Sequence, residues 1–242
     1  MQADSLSPPF FNRLLRALPR GEHHRLLQHG ETVHLAFGCQ LCEVDKPYQH
    51  LYFPLTAFIS LVTSLEQRPG LELGLIGHEG MLGATLALGI NAAPSRAVVQ
   101  GSGSALRISA HALRQVLSES APVRRLLQRY VYVQLAQLSQ NAACAHFHEL
   151  EPRLARWILM TRDRSHSEQL HLTHQFLADM LGVRRSGVTL AAGALQQRQL
   201  IRYSRGQITI LDRAGLEASA CGCYEALRAD YSRIFPAASE PP

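Results

Sequence analysis

Four polar side chains near residue 185 have the types and spacing needed to hydrogen-bond with DNA bases. They are Arg184, Arg185, Ser186 and Thr189. An arginine can donate two hydrogen bonds to the O6 and N7 atoms of guanine, and Ser and Thr hydroxyls reach base edges or phosphates. Leu190 could contact a thymine methyl group. We predict that Arg185, Ser186 and Thr189 read bases and that Arg184 contacts phosphate.

A helix-turn-helix would position these residues. The stretch 173–181 begins with Thr173, a favoured N-cap residue, and predicts a short helix. Gly182 readily adopts the positive φ of a tight turn, and Ala178 is small enough for a second helix to cross closely. That second helix is predicted over about 184–197, because apolar residues recur there at i, i+3, i+4 and i+7. The apolar positions are Val188, Ala191, Ala192 and Leu195.

A two-stranded wing is predicted after the second helix. The segments 200–204 and 207–211 have alternating residues and flank a central glycine, which is typical of a hairpin. The candidates for phosphate contact are Thr173, His174 and Gln175 in the first helix, Arg184 before the second, and Arg202 and Arg205 in the wing. The net charge of the chain is only +5, but 153–213 contains ten arginines against four acidic residues. The positive field is therefore concentrated at the predicted DNA-binding module.

The last third of the chain carries the motif THQFLADMLGVRRSGVTLAAGALQQRQLI at 173–201, followed by RYSRG. This motif resembles the DNA-binding domain of the Crp/Fnr family of bacterial transcription regulators. The resemblance implies that early residues of the second helix read bases, which falls on Arg185, Ser186 and Thr189. Leu190 stands where better-known members often have another base-reading arginine, so their operator sequence cannot be transferred.

The first half of the chain has a different periodicity. From about residue 32 to 108, short apolar or alternating runs are punctuated by Gly and Pro, which predicts an antiparallel roll or barrel after a short helix at 12–18. The family resemblance implies a jelly-roll sensor domain. The expected class is α+β, with a β-roll sensor domain at 1–118, a dimerisation helix at 119–149 and the winged helix-turn-helix domain at 150–242.

A long helix that begins after Ser120 carries an apolar seam with alternating steps of four and three residues. The seam consists of Val131, Leu135, Leu138, Ala142 and Ala145. It predicts a homodimer, because a dimeric helix-turn-helix protein can engage two half-sites one DNA turn apart. Packing of the seam on its own roll is the alternative. A hinge is expected at 149–152, and one terminal helix from Asp212 to about Ile234.

The expected effector is not cyclic AMP. Cyclic-nucleotide binders of the family have a Gly-Glu pair and a later Arg-Ser/Thr-Ala run, which hold the ribose and the cyclic phosphate. Here Gly83 is followed by Ala84, and the later run is Ser95-Arg96-Ala97 with the Ser and Arg reversed. The carboxylate is therefore missing, and Arg96 would point to the other face of a strand.

No metal site is predicted. An iron–sulfur cluster generally needs about four thiolates, so Cys39 and Cys42 are too few and fit two roll residues better than a redox pair. Cys221 and Cys223 would not share a face of one helix, so two small buried residues are favoured over a zinc or redox role. The cupin-like group His146, His148 and Glu149 has the wrong spacing for a metal site on a helix. A haem ligand among the twelve His leaves no sequence signature, so haem stays open.

Two function classes remain. The favoured one is a cytoplasmic transcription regulator, not an enzyme, that binds double-stranded DNA as a homodimer, with RNA polymerase as a further partner and no membrane association. No apolar run could span a bilayer, no signal peptide is recognisable, and the five scattered cysteines argue against a disulfide framework. The alternative is a cupin-like metalloenzyme with an accessory DNA-binding domain, although no enzyme motif is found. A regulator that senses no ligand also fits the sequence.

Overall fold

Two antiparallel sheets build the N-terminal half of the protein. The computed structural model describes residues 12–63, 70–165 and 169–236. The strands of this half are β1 (Gly30–Leu35), β2 (Gln40–Cys42), β3 (His50–Pro54), β4 (Phe58–Thr63), β5 (Leu71–Ile76), β6 (Arg96–Gly101) and β7 (Gly103–Ser109). Their orders are β1-β7-β3 and β2-β6-β4-β5. The predicted α+β class with an N-terminal antiparallel roll is confirmed, and β2 is only three residues long.

Strand alternation separates the roll interior from its outer face. In β6, Ala97 and Val99 are fully buried in the roll core, whereas Arg96 and Val98 alternate with them and are only half-buried. This is the two-residue period of a strand with one face in the core. The side chain of residue 96 therefore leaves the roll on its outer face.

Nine α-helices lie in the described part of the chain. They are α1 (Arg13–Arg16), α2 (Arg20–Gln28), α3 (Ala110–Glu119), α4 (Ala121–Phe147), α5 (Leu150–Ser165), α6 (His174–Leu181), α7 (Arg185–Gln197), α8 (Arg213–Ser219) and α9 (Cys223–Ile234). A 3₁₀ helix covers Ala84–Leu88. The α2 helix was not predicted. None of the helices in these ranges combines the length and hydropathy that a bilayer span requires.

The single terminal helix predicted from Asp212 to Ile234 is wrong, because the chain forms two helices there. Asp212 does cap α8, since its Oδ1 accepts a hydrogen bond of 3.0 Å from the Gly215 amide. Helix α8 then stops at Ala220, whose backbone is extended with φ −73° and ψ 152°. Gly222 lies just before α9, and its high backbone entropy disfavours a continuous helix through this point.

The C-terminal half contains α5 to α9 and a three-stranded sheet. Strands β8 (Gln169–His171), β9 (Ile201–Ser204) and β10 (Gln207–Ile210) pair in the order β8-β10-β9. The hairpin of β9 and β10 is the predicted wing, but the two-stranded prediction missed β8, which is only three residues long. Strand β8 pairs with β10 and so attaches the wing to the chain that precedes α6.

The long helix α4 connects the two halves. Its N-cap is Ser120, as predicted, and the Ser120 hydroxyl accepts a hydrogen bond from the Val123 amide. The helix ends at Phe147, and His148 has an extended backbone with φ −105° and ψ 142°. Helix α5 begins two residues later, at Leu150. The change of direction thus falls at 148–149, at the start of the predicted hinge.

Candidate nucleic-acid interface

A capped helix, a glycine turn and a second helix build the helix-turn-helix. The Thr173 hydroxyl accepts a hydrogen bond of 3.1 Å from the Phe176 amide, which caps α6. Gly182 ends α6 in the left-handed conformation, with φ 66° and ψ 38°, where a side chain would be strained. Leu177 of α6 and Val188 and Leu195 of α7 are fully buried together. The predicted bounds of both helices are confirmed to within one residue, and so is the predicted buried side of α7.

The opposite side of α7 is the predicted reading face. Arg185, Ser186 and Thr189 are all exposed there, and Leu190 is 76% exposed. The Thr189 hydroxyl donates to the Arg185 carbonyl oxygen at 3.1 Å and lies 3.0 Å from Nδ1 of His174. Thr189 is therefore held in place by its neighbours, whereas the Arg185 side chain extends from the first turn of the helix.

The wing turns sharply at Arg205 and Gly206. Both residues have positive φ, 50° and 77°, which is the type I′ geometry of a two-residue hairpin. The Tyr203 amide donates to Oε1 of Gln196 at 2.7 Å, and the Tyr203 hydroxyl donates to the Leu172 carbonyl oxygen at 2.7 Å. These bonds fix the wing against α7, with Arg205 at its tip.

The arginines of this surface are exposed and have no carboxylate partner within the described ranges. They are Arg184, Arg185, Arg202 and Arg205. Six other exposed or half-exposed arginines do have carboxylate partners, whereas Arg20, Arg114 and Arg125 have none in the described ranges. The six are Arg25, Arg107, Arg198, Arg213, Arg228 and Arg233. The four guanidiniums of the reading face and wing are thus available to an external anion such as phosphate.

The first-helix candidates have partners within the protein. Thr173 serves as the N-cap of α6, and Gln175 donates to Oδ1 of Asp179 at 2.8 Å. The His174 ring lies 4.5 Å from the Tyr203 ring, centroid to centroid. Partial burial and the nearby Arg185 charge lower the pKa of His174. The neutral form of His174 is therefore favoured, and its contact with Thr189 suits a positioning role better than direct attraction of phosphate.

The helix-turn-helix packs on the outer face of the roll. Phe58 of β4 and Leu75 of β5 belong to the same buried cluster as α5, α6 and α7. At this contact Glu72 accepts hydrogen bonds from the Ser60 hydroxyl at 2.6 Å and from the Trp157 indole nitrogen at 2.8 Å. Burial raises the pKa of Glu72 to about 7 and outweighs these hydrogen bonds, which act in the opposite direction.

This carboxyl predicts a pH-dependent stability. The folded-state pKa of Glu72 lies above the ordinary value of 4.5. The contribution of Glu72 to the free energy of unfolding is therefore fully present below pH 4.5 and is lost as the pH rises through about 7. Glu72→Gln keeps an acceptor for Trp157 but cannot ionise. We expect its melting temperature to exceed that of the wild type by about 2–6 °C at pH values near 8 and to match it near pH 5.

Thermal unfolding followed by circular dichroism between these pH values checks this expectation. Glu119→Gln is the matched control, because Glu119 is an exposed carboxylate on α3. It should reproduce the wild-type pH profile. A Glu72→Gln melting temperature that differs from the wild type by the same amount at every pH would contradict the assigned titration.

A cluster of four donors lies away from the predicted interface, at the junction of α4 with α9. The side-chain donor atoms of Cys144, His148, Cys221 and Cys223 all lie within 4.8 Å of one another. The two cysteines Cys221 and Cys223 are buried as predicted, but they do not lie on one helix, because Cys221 precedes α9 and only Cys223 is helical. A signal was present in the sequence, since Cys144 and His148 have the i, i+4 spacing that suits metal ligands on a helix. By contrast, Cys39 is exposed and Cys42 is half-buried, both as free thiols of the roll.

The predicted dimer seam lies on a side of α4 that its own chain covers only in part. Leu135 is 60% exposed, and Ala142 and Ala145 are also exposed. Val131 packs partly against the roll core, and Leu138 is half-buried beside a groove next to β5. The middle of the seam is therefore open to a partner, whereas its N-terminal end contacts the roll.

Known proteins share both the domain and the fold. Residues 152–219 match the model of the Crp-like helix-turn-helix domain. A Crp/Fnr-family protein from Eubacterium rectale has a TM-score of 0.67 at 18% identity, over 85% of this chain and 96% of that one. A Crp/Fnr transcriptional regulator from Thermus thermophilus has a TM-score of 0.64 at 23% identity, over 78% and 98%. The c-di-GMP-responsive regulator CLP of Xanthomonas campestris has a TM-score of 0.64 at 18% identity, over 79% and 99%.

No curated protein matches the sequence. The solved structures are too distant in sequence to carry more than the fold, whereas the domain model matches the helix-turn-helix itself. Together they confirm the resemblance that the motif at 173–201 indicated. Residues 152–219 therefore match a Crp-like helix-turn-helix domain, and the chain has the fold of the solved Crp/Fnr transcription regulators.

Proposed function

We propose that the chain is a homodimeric transcription regulator that reads palindromic DNA with α7 and responds to a signal other than cyclic AMP. In this proposal residues 1–118 receive the signal, 119–149 form the dimer contact and 150–242 bind DNA. RNA polymerase is the partner through which such a protein would act on transcription.

The exposed polar side of α7 carries this proposal. Arg185 and Ser186 stand in the first turn of the helix, and Thr189 and Leu190 lie about one turn later. These side chains offer a guanine-reading guanidinium, hydroxyls and a methyl contact on one face. Arg184 and the wing residue Arg205 flank that face without carboxylate partners in the described ranges, as expected for contacts that fix the register on DNA.

Exposure of the seam supports the homodimer. A leucine that packed on its own roll would be buried, but Leu135 is 60% exposed on a helix of 27 residues. A second copy would cover it with the same surface, as in a two-fold symmetric contact. The dimer in turn would place two α7 helices on successive major grooves.

At the two described positions that correspond to the ribose and phosphate contacts of the family, the roll carries other groups. Gly83 adopts φ 94° before the 3₁₀ helix, and the following residue is Ala84, which has no carboxylate for a ribose hydroxyl. Ala97 fills the inward position of β6, whereas the Arg96 guanidinium extends on the outer side towards Gly70. A cyclic phosphate inside the roll would therefore meet no charge from Arg96.

The metalloenzyme alternative receives no support from the candidate ligands. A cupin-like site would lie inside the roll, but His146 is exposed near the end of α4. Nδ1 of His148 lies 3.4 Å from the Cys223 sulfur, outside the roll. These His side chains therefore do not meet where a roll-bound substrate would be held.

Selection of bound sequences from random duplex DNA by the purified full chain tests the proposal. We expect an enriched palindrome with half-site centres about 34 Å apart, recovered equally with and without cyclic AMP. Enrichment that required cyclic AMP would contradict the proposed signal. Uniform recovery of all sequences at moderate salt would contradict sequence reading by α7.

A further inference from the structure

We propose that Cys144, His148, Cys221 and Cys223 form a zinc site that fastens the end of the long helix to the C-terminal helix. Three thiols and one imidazole are a donor set that structural zinc sites use. The three cysteines are buried and form a cluster of their own, and His148 closes the group from the solvent side. The DNA-binding role of the chain is not needed for this inference.

The distances fit a single tetrahedral ion. The Cys144 and Cys221 sulfurs are 3.5 Å apart, and the Cys223 sulfur lies 3.4 Å from Nδ1 of His148. Around a zinc ion with Zn–S bonds of about 2.3 Å, neighbouring donors lie roughly 3.5–3.8 Å apart. The widest separation in the cluster is within 4.8 Å. Small side-chain rotations would therefore bring all four donors to bonding distance.

Other uses of these thiols explain less of the arrangement. A disulfide between Cys144 and Cys221 requires sulfurs about 2.05 Å apart and leaves Cys223 and His148 without a role. An iron–sulfur cluster distributes its ligands over several iron atoms, so it needs donors that are spread more widely than these. Convergence of four donors of the right types on one point favours one thiophilic cation.

Two buried arginines supply positive charge that would balance the charge of a metal–thiolate group. Three thiolates and one Zn²⁺ ion carry a net charge of −1, which is costly to bury without a cation nearby. Arg153 and Arg156 lie in α5, and their charges act on the sulfurs of the cluster. Nε of each guanidinium is buried without a hydrogen-bond partner in the structure. A metal–thiolate group beside them would compensate these charges.

The location gives the ion a structural role. Cys144 and His148 lie on either side of the last turn of α4, where the chain leaves the long helix. Cys221 and Cys223 come from the break between α8 and α9, and the Cys221 amide donates to the Pro152 carbonyl oxygen at 3.3 Å. Four protein ligands leave no open coordination position, so the site would hold the hinge rather than catalyse a reaction.

Metal analysis of the full chain, purified under reducing conditions and with any affinity tag removed, tests the site. We expect about one zinc ion per chain. After chelation, added Co²⁺ should give the visible bands of tetrahedral cobalt and a sulfur-to-cobalt charge-transfer band in the near ultraviolet. Cys223→Ser and His148→Ala should each lower metal affinity by more than about 100-fold. His148 is exposed, so its replacement should leave the fold intact even if the cysteine variant fails to fold.

Cys39→Ser is the matched control, because Cys39 is an exposed thiol of the roll. It should retain the zinc and the cobalt spectrum. The site is overturned if the reduced wild type binds neither ion, if Cys39→Ser loses the metal as well, or if a Cys144–Cys221 disulfide is found in protein isolated without reductant. Because every readout is metal content or a spectrum, failure here would leave the proposed DNA-binding function untouched.

Discussion

Arg185→Ala is expected to weaken binding to the selected palindrome by about 1–3 kcal/mol in each half-site, or roughly 5- to 150-fold, and to relax preference at one base position. The Arg185 side chain is exposed in the first turn of α7 and has no carboxylate partner among the described residues, so its loss removes little from the folded protein. Alanine also favours a helix at least as well as arginine does. Fluorescence anisotropy titrations on the palindrome and on its single-base variants measure both effects.

Arg205→Ala provides the contrast that identifies a base-reading residue. Arg205 lies at the tip of the wing, where we propose that its guanidinium contacts phosphate rather than base edges. We expect this variant to bind all sequences more weakly and to reduce the salt dependence by about one counterion per chain, with unchanged base preference. If Arg185→Ala behaves in this way too, or leaves affinity unchanged, then Arg185 does not read bases.

The helix-turn-helix could be predicted because its determinants are local. Thr173 as a cap, Gly182 as a turn and the apolar positions 188 and 195 specify two helices within 25 residues. Each signal acts through the backbone or one side of one helix, so no distant partner is needed to interpret it. The same reasoning predicted the wing hairpin, but not β8, because a three-residue edge strand has too few residues to show alternation.

The spacing of Cys144 and His148 was the one local signal of the four-donor cluster, and the full set could not be predicted because tertiary structure brings its two halves together. Cys144 and Cys221 are 77 residues apart, and their meeting depends on how α9 packs along α4. The sequence pattern placed Cys221 and Cys223 on one uninterrupted helix, where residues two apart point in different directions. In the structure the backbone at Ala220 is extended, so the helix is interrupted and the two cysteines do not lie on one helix. A helix break of one or two residues is decided by packing on both sides, which a local pattern does not contain.

Contact between the roll and the DNA-binding half was also beyond the sequence. Glu72 is a polar residue in an alternating strand, and on pattern alone it would face solvent. In the folded chain Trp157 covers it and donates a hydrogen bond to its carboxylate. The raised pKa follows from that burial, so the pH dependence becomes predictable only once the two halves are placed together.

Leu135→Asp is expected to convert the protein from a dimer into a monomer and to weaken binding to the palindrome by at least about 100-fold. A charge in the middle of an apolar helix–helix seam would be buried without a partner, which a dimer cannot tolerate. Within one chain the same residue is 60% exposed, so the fold of the monomer should persist. Loss of the second α7 removes the gain of simultaneous binding to two half-sites, which commonly amounts to 10²–10⁴.

Ala143→Asp is the matched control for this experiment. Residue 143 is exposed on the same helix. It lies eight residues after Leu135 and about 80° from it around the helix axis, which places it away from the seam. Light scattering after size exclusion should give twice the chain mass of 26.8 kDa for the wild type and this control, and a single chain mass for Leu135→Asp. A dimeric Leu135→Asp protein with normal operator affinity would show that another surface pairs the chains.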